Sequence, residues 1–190
     1  MLFAWLLAVA CTDAGVKERS ADETKDTAMV TVPRNSGRSI DTPIVRVSPS
    51  ALVSYAETLI GTPYKYASTD PDVGFDCSGF ITYVFNHFNI NVPRSSVAFT
   101  DAYPEVPTTN AKEGDLILFT GTGSTNGVVG HMGIIVSNIS DSISFIHSTS
   151  GKANGVTITP LNAYYKSRFV KVVRIFPENG AVVFNAHRSQ

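Results

Sequence analysis

Charged side chains are scarce in this sequence. They make up 16% of the 190 residues, against roughly 25% in a typical globular chain. Basic and acidic residues nearly cancel, leaving a formal net charge of −1, so the sequence lacks the basic surface that a nucleic-acid-binding protein needs. Glycine and proline, at 14 and 10 residues, are too few for a collagen-like or low-complexity chain. The composition is that of a globular protein with no nucleic-acid partner.

Cysteine is rarer still, because the chain holds only Cys11 and Cys77. Two cysteines are too few for the disulfide framework of a small secreted fold. A zinc site needs three or four clustered ligands at ligand spacing, and one cysteine with two histidines, without a second cysteine or a nearby carboxylate, makes zinc a poor second choice. We therefore expect no metal and no other cofactor, and we expect the two cysteines to have separate roles.

Long apolar runs are also missing, except at residues 1–10, which are all apolar. Ten residues are too few for a membrane-spanning helix, which needs about 20, but they fit the apolar core of a secretory signal. Ala8-Val9-Ala10 before Cys11 resembles the lipobox of bacterial lipoproteins, whose cysteine is lipidated. A signal cleaved after Ala8 or Ala10 is the alternative. We expect an export signal at 1–11, lipidation of Cys11, and a lipid-anchored location in the bacterial cell envelope, in the periplasm or at the outer membrane.

Charge is concentrated near the N-terminus. Residues 12–48 hold 12 charged side chains and no aromatic one, whereas residues 49–176 hold 17 charged side chains in 128 positions. A charged segment without large apolar side chains buries too little surface to offset the entropy lost on ordering. We predict a flexible tether at 12–48, one folded domain at 49–176 and a polar tail at 177–190, in a protein that is a monomer.

Within the domain, the apolar pattern changes from helical to strand-like along the chain. Apolar residues recur at helical spacing after a capping serine, Ser48 or Ser50, and again over Ser78–Phe88. Helices first and neighbouring strands second are typical of the α+β class. We predict N-terminal helices packed on a small antiparallel sheet. Its strands come from short β-rich runs at 115–119, 131–137, 143–148, 156–158 and 169–176.

Cys77 falls at the predicted start of the second helix. The unpaired amides of a helix start favour a thiolate and can stabilise an oxyanion, although a lone buried cysteine is commonly an apolar filler. Two histidines favour the catalytic interpretation, because His131 and His147 lie on successive β-rich runs. A hairpin centred near Ile139, with a bulge or a five-residue loop, would place them directly opposite each other. Cysteine, histidine and a third polar group together make an activated nucleophile.

Six short blocks occur in the order and spacing of one known family. The most specific pair joins Gly74-Phe75-Asp76-Cys77-Ser78-Gly79-Phe80 to His131-Met132-Gly133-Ile134. With the other four, they make the region from Leu52 to Ile175 resemble the NlpC/P60 family of cell-wall cysteine peptidases. The other blocks are Thr62-Pro63-Tyr64, Val92-Pro93-Arg94-Ser95-Ser96, Gly114-Asp115-Leu116 and Phe145-Ile146-His147.

The resemblance implies a papain-like α+β core and a thiol mechanism. It implies Cys77 as the nucleophile, His131 as its base and His147 as the group that orients His131. The Tyr64 hydroxyl and the backbone amide of Cys77 would form the oxyanion hole. The implied reaction is hydrolysis of the γ-D-glutamyl–diaminopimelate bond in peptidoglycan stem peptides, which are then the expected partner.

Substrate binding is implied for two residues beside the nucleophile. By the same resemblance, Asp76 and Ser78 hold the free amine of the first L-residue of the substrate. Arg94 and Ser95 either line the cleft or cap a short helix. The family usually has two glycines after the tyrosine motif, where this chain has Ala67-Ser68, so substrate preference stays open.

Two other functions are compatible with the same residues. A related acyl- or amide-transfer enzyme would share the triad but needs an apolar channel beside Cys77. A non-catalytic cell-wall-binding module would lack a member of the triad, and none is missing. The Gly-rich segment 120–130 does not follow the P-loop pattern. It is either a flap beside the site or an inert insertion.

Overall fold

The computed structural model of the chain describes residues 44–122, 127–140, 142–177, 180 and 182–185. The predicted export signal, the candidate lipid site Cys11 and most of the predicted tether lie outside the described residues. Within the described ranges, no helix is long and apolar enough to cross a membrane.

Within the described residues, three α-helices each begin at a side-chain cap. Ser48 caps the first, where the amide of Ala51 donates to its hydroxyl at 3.1 Å. Asp76 caps the second by accepting from the amide of Gly79. Such caps satisfy amides that a helix start leaves unpaired. The helices are α1 (Pro49–Glu57), α2 (Cys77–His87) and α3 (Ala163–Lys166), and 3₁₀ turns lie at Ser96–Phe99 and Thr108–Asn110.

All five predicted β-rich runs form strands of one antiparallel sheet. That sheet has six strands in the spatial order β4-β9-β5-β6-β7-β8, and two smaller sheets pair β1 with β10 and β2 with β3. In chain order the strands are β1 (Ile44–Val47), β2 (Thr69–Asp70), β3 (Gly74–Phe75), β4 (Glu105–Val106), β5 (Leu116–Thr120), β6 (Val129–Ile139), β7 (Ser142–Thr149), β8 (Gly155–Pro160), β9 (Phe169–Val173) and β10 (Val182–Asn185).

Strand β5 lies at the centre of the core and is buried on both faces. Leu116 and Leu118 point to the face that α1 and α2 cover, and Ile117 and Phe119 point to the opposite face, where Tyr165 of α3 packs. Alternate residues of a strand point to opposite faces, so a continuous apolar run fits only where both faces are covered. The predicted α+β fold, with N-terminal helices packed on an antiparallel sheet, is confirmed.

The predicted pairing of the two histidines is wrong by two positions. β6 and β7 do form a hairpin with a bulge, located between Ile135 and Ser137. Before the bulge Ile134 pairs with Ile146, and continuing that register places Gly133, not His131, opposite His147. The turn that follows Ile139 is tighter than the predicted loop, since Ile139 pairs with Ser142. Because the offset is an even number of residues, both histidines still lie on one face of the sheet.

Two strands lie outside the predicted domain range of 49–176. β1 falls in the segment predicted as tether and β10 in the segment predicted as tail, and they pair with each other along their whole length. Val47 of β1 is buried in the core. The charge count over 12–48 obscured the short run Ile44-Val45-Arg46-Val47, in which three of four residues are β-branched. The domain boundaries themselves stay a prediction.

Candidate active site

Helix α2 begins at Cys77, which puts the thiol at the helix N-terminus. A Cβ at Gly79 would overlap the carbonyl of Ser68, so the glycine of this motif lets the preceding loop pack against the helix start. The Cys77 Sγ lies 3.8 Å from the carbonyl oxygen of Gly130. Gly130 directly precedes His131, so the thiol faces the strand that carries the candidate base.

The surroundings of Cys77 keep it a thiol in the resting protein. Burial raises the pKa of Cys77, and the negative charge of Asp76 raises it further. Backbone N–H groups of Cys77, Ser78 and Met132 act in the opposite direction. The helix start therefore does not by itself generate a standing thiolate, and a nearby base must remove the proton before sulfur can attack.

His131, His147 and Thr159 form a hydrogen-bonded line across strands β6, β7 and β8. His131 Nε2 lies 2.8 Å from His147 Nδ1, and His147 Nε2 lies 3.0 Å from Thr159 Oγ1. His147 has no exposed surface, whereas His131 keeps some. His147 can therefore act only through its two neighbours, and His131 presents its remaining nitrogen, Nδ1, to other groups.

Both imidazoles are neutral at neutral pH. Burial lowers the pKa of His131 from 6.5 to about 4, and the positive charge of Arg168 adds to the effect. Burial also lowers the pKa of His147, to about 3, with a contribution from His131. A neutral imidazole has one donor and one acceptor nitrogen, so His131 is in the protonation state that a general base requires.

Tyr64 lies in the same cleft as Cys77. Its backbone is fixed by a bridge to Phe75 and by its amide, which donates to the carbonyl of Asn154 at 3.0 Å. Burial raises the pKa of Tyr64, and the nearby Cys77 and Asp76 raise it further. The hydroxyl therefore keeps its proton. It and the amide at the first position of α2 are two donors suited to an oxyanion.

Asp76 is already engaged in an ion pair. Its carboxylate accepts two hydrogen bonds from Arg94, at 3.1 and 2.7 Å, and Arg94 also donates to Ser78 Oγ at 3.0 Å. Ser95 stands at the N-cap position of a 3₁₀ turn but makes no capping hydrogen bond with its side chain. None of these four is among the described residues that line the cleft around Cys77. They form a charged cluster beside it.

A cleft of about 960 Å³ opens over Cys77 and His131. Thr122 and Gly130 line it, so both arms of the predicted loop 120–130 reach the site, while residues 123–126 lie outside the described residues. No group of three or more His, Cys, Asp or Glu side chains that could hold a metal ion occurs in the described part of the chain. The rest of the lining is mainly polar: Tyr64, Thr149, Ser150, Gly151, Lys152, Ala153, Thr157, Thr159, Asn162, Tyr164, Tyr165 and Arg168.

Sequence reasoning missed three residues of this site. Thr159 ends the hydrogen-bonded line, Tyr165 stacks 6.1 Å from the ring of His131, and the charge of Arg168 acts on His131. No motif contains them. The alternation of β8 would have placed Thr159 on one face of the sheet, but its pairing with β7 was needed to bring it to His147.

The fold and the site define a class before any relative is considered. A cysteine at a helix start, facing histidines on a neighbouring antiparallel sheet, is the papain-like arrangement of a thiol and an imidazole. The NlpC/P60 family model matches residues 61–174, and the chain belongs to that family.

Individual relatives agree with this membership. The chain is 40% identical to the probable peptidoglycan endopeptidase LytE of Bacillus subtilis over 127 residues, which cover 66% of this chain and 34% of that protein. It is 34% identical to the gamma-DL-glutamyl hydrolase of Bacillus subtilis over 131 residues, 67% of this chain and 30% of that protein. The crystal structure of a Bacillus cereus NlpC/P60 family protein superposes with a TM-score of 0.62 at 28% identity, over 72% of this chain and 43% of that one. The chain thus spans about a third of the length of the two curated relatives.

Proposed function

We propose that this protein is a cysteine peptidase that hydrolyses the γ-D-glutamyl–diaminopimelate bond of peptidoglycan stem peptides. The observation that carries the proposal is that Cys77 and His131 line one cleft and that His131 is hydrogen-bonded to the buried His147. The names of two relatives support the substrate, since one is called a peptidoglycan endopeptidase and the other a gamma-DL-glutamyl hydrolase.

The proposed reaction begins with transfer of the Cys77 proton to His131 Nδ1 as sulfur attacks the γ-carbonyl carbon. The carbonyl oxygen becomes an oxyanion, which accepts hydrogen bonds from the Tyr64 hydroxyl and the Cys77 amide. The His131 imidazolium then gives its proton to the leaving nitrogen, the C–N bond breaks, and a thioester remains. Water attacks the thioester, with its proton passing to His131, which releases the new carboxylate and restores the thiol.

The direction of each hydrogen bond in the histidine line follows from this role. His131 Nδ1 accepts the thiol proton only if Nε2 carries the hydrogen of the neutral ring. His131 Nε2 then donates to His147 Nδ1, so the hydrogen of neutral His147 lies on Nε2 and is donated to Thr159 Oγ1. Thr159 is in this way a positioning residue, because the acceptor at the far end fixes the tautomer of both rings.

The amine of the substrate's first residue is proposed to bind at Asp76 and Ser78, with Arg94 and Ser95 at the edge of that subsite. Asp76 Oδ1 already accepts from Gly79, Ser78 and Arg94, whereas among the described residues Oδ2 accepts from Arg94 alone. Each carboxylate oxygen has two acceptor positions, so Oδ2 can accept from an ammonium while Asp76 stays paired with Arg94. Asp76→Asn should weaken binding of peptides with a free N-terminus, measured as a rise in KM relative to N-acetylated peptides. Unchanged selectivity between the two peptides would contradict this assignment.

The alternative functions fit less well. An acyl-transfer enzyme needs an apolar channel for its acyl chain, whereas the described wall beside Cys77 is mainly threonine, serine, asparagine, lysine, arginine and tyrosine. A purely binding module has no use for a buried pair of neutral imidazoles, because burying polar rings costs stability unless they serve a purpose. Hydrolysis of a polar peptide is the function that these features favour.

The proposal is tested with the full chain on purified muropeptides that contain diaminopimelate. The wild-type protein should release a product with a new free amine on diaminopimelate, detected by mass spectrometry. Cys77→Ala should abolish release, and Cys77→Ser should reduce it by several orders of magnitude, since the hydroxyl is a much weaker nucleophile. Release at the wild-type rate by Cys77→Ala would contradict the proposal.

The place of action is proposed to be the bacterial cell envelope, with Cys11 lipidated and residues 12–48 linking the lipid to a monomeric catalytic domain. Incorporation of a labelled fatty acid by the wild-type chain, but not by Cys11→Ser, would support the anchor. Equal labelling of the two chains would contradict it.

A further inference from the structure

Two cations, Lys152 and Arg168, line the active-site cleft. Beside the cleft, Arg94 has a carboxylate partner, with its Nη2 lying 2.7 Å from Asp76. In the described part of the chain, neither Lys152 nor Arg168 forms such an ion pair, and no carboxylate lines the cleft. The cleft wall therefore carries positive charge that the described residues do not balance, as expected for a site that receives an anion.

Arg168 is held rigidly in spite of this lack of an anionic partner. Its Nη1 donates to the Tyr164 hydroxyl at 2.6 Å, and its Nη2 donates to the Thr120 carbonyl at 2.5 Å. The guanidinium carbon lies 5.0 Å from the centre of the Tyr164 ring, and Nε is buried without a hydrogen-bond partner among the described residues. These contacts orient the guanidinium before any ligand binds, and each Nη keeps a second N–H that can donate to a ligand.

Arg168 and Tyr64 lie on opposite sides of His131. Arg168 directly precedes β9, which neighbours β5 and then β6, the strand of His131. Tyr64 lies beyond β7 at the other side, where its amide binds the turn between β7 and β8. Tyr64 is the proposed oxyanion donor, and His131 protonates the leaving nitrogen. A leaving residue that extends past His131, away from Tyr64, would therefore lie toward Arg168.

We propose that Arg168 binds a carboxylate of the leaving residue and so selects substrates in which that residue carries a free acid. This inference rests on the proposed function, in which the leaving residue is diaminopimelate. Diaminopimelate carries two carboxyl groups, and a guanidinium forms its strongest hydrogen bonds with carboxylates. Amidation of those groups removes the charge and replaces an acceptor oxygen with a donor NH₂. No hydrogen bond can form between that NH₂ and the N–H donors of Arg168.

The test compares two synthetic peptides, L-Ala-γ-D-Glu-diaminopimelate and the same peptide with both diaminopimelate carboxyls amidated. The full-length wild type should show a kcat/KM about 10- to 100-fold higher for the free acid, the range expected for a charge-assisted hydrogen bond. Arg168→Gln should bring the ratio close to one, and Arg168→Lys should restore part of it. The ratio compares two substrates of one enzyme sample, so a partial loss of folded protein cancels.

Lys166→Gln is the matched control. Lys166 is an exposed lysine two positions before Arg168 that lines a different cavity, so its removal should keep the ratio. Equal cleavage of both peptides by the wild type would overturn the subsite and leave the proposed function standing. A ratio retained in Arg168→Gln, or lost instead in Lys152→Gln, would also overturn it. If the wild type cleaves neither peptide, the proposed function is contradicted, and this inference fails with it.

Discussion

Asp76 serves the fold and the site through one carboxylate. It caps α2 through the Gly79 amide and pairs with Arg94, and its charge raises the pKa of Cys77. The motif located Asp76 beside the proposed nucleophile, and helix-capping chemistry explains why an aspartate suits that position. The partnership with Arg94 was not predictable from the sequence, because the two residues meet only once the segment after α2 has folded back on the helix start.

At the residue scale, the first prediction concerns the titration of His131. Because its pKa is lowered to about 4, the ring should stay mostly neutral from neutral pH down toward pH 4. The proposed base should become mainly protonated only below that pH. Imidazole NMR of the isotope-labelled protein, with His131→Asn to assign the signals, measures this directly. A His131 midpoint near 6.5 would contradict the buried, neutral base.

The second prediction concerns Thr159. Thr159→Val keeps the shape of the side chain but leaves His147 Nε2 without an acceptor, which should lower kcat by about tenfold, because an unmade buried hydrogen bond costs about 1–3 kcal/mol. The imidazole ¹⁵N spectrum should show a second tautomer for the two rings, a change that a merely structural residue would not produce.

Thr159→Ser is the matched control for that substitution, since it keeps the hydroxyl and should keep both the rate and the tautomer. Wild-type kcat and an unchanged ¹⁵N spectrum in Thr159→Val would contradict the positioning role of Thr159.

At the scale of elements, the strands β6 and β7 were predictable from the apolar pattern, but their pairing register was not. The β-rich runs predicted both strands, and the assumed pairing of the two histidines called for either a bulge or a five-residue loop. Neither predicted the position of the bulge at Val136 or the tight turn after Ile139. The pairing register depends on how the side chains of both strands pack along their whole length. A bulge shifts that register without changing the apolar pattern of either strand.

The observed register explains Gly133 and yields the third prediction. A Cβ at this position would lie 2.6 Å from the ring of Phe145 and 3.2 Å from the Cβ of His147. Gly133→Ala should therefore destabilise the protein by about 1–3 kcal/mol, as overpacked cores do. It should also lower kcat by displacing His147.

Urea unfolding measures the stability change in Gly133→Ala, and Gly151→Ala is its control. The nearest atom to a Cβ at Gly151 is the Thr149 hydroxyl oxygen at 3.3 Å, in a surface turn. Equal unfolding midpoints for the two variants would show that the space behind Gly133 is not restrictive.

At the scale of the whole molecule, one buried ion pair joins distant parts of the chain. Arg174, which follows β9, donates to both carboxylate oxygens of Asp115 at 2.8 Å. Their side chains are only 11% and 2% exposed. Arg174 also donates to the carbonyl of Asn110, so the pair fastens the turn before β5 to the end of β9.

The fourth prediction follows from that burial. Asp115→Ala removes the carboxylate that accepts two hydrogen bonds from the buried Arg174 side chain, and it should lower the free energy of unfolding by about 3–5 kcal/mol. The control is Glu105→Ala, which breaks a more exposed pair with Lys171 at 3.4 Å and should cost less than about 1 kcal/mol. Calorimetric unfolding that ranks the two variants in the reverse order would contradict the distinction.

Over the whole chain, the sequence predicted the fold class and most elements, because each has a local signal in its caps and apolar spacing. It did not predict the pairing of β1 with β10, since two short strands at the ends of the domain find each other only in the folded molecule. The position of Arg168 near His131 was not predictable for the same reason, because it depends on the order of strands in the folded sheet.

Cleavage of isomeric peptides tests the proposal that Cys77 attacks a γ-linked glutamyl carbonyl. Two synthetic tripeptides, L-Ala-γ-D-Glu-diaminopimelate and its α-linked isomer, are incubated with the full-length wild type and with Cys77→Ala, and the products are identified by mass spectrometry. We expect L-Ala-γ-D-Glu and free diaminopimelate from the γ-linked peptide with the wild type alone. Cleavage by Cys77→Ala at the wild-type rate, or cleavage of the α-linked isomer in place of the γ-linked one, would contradict it.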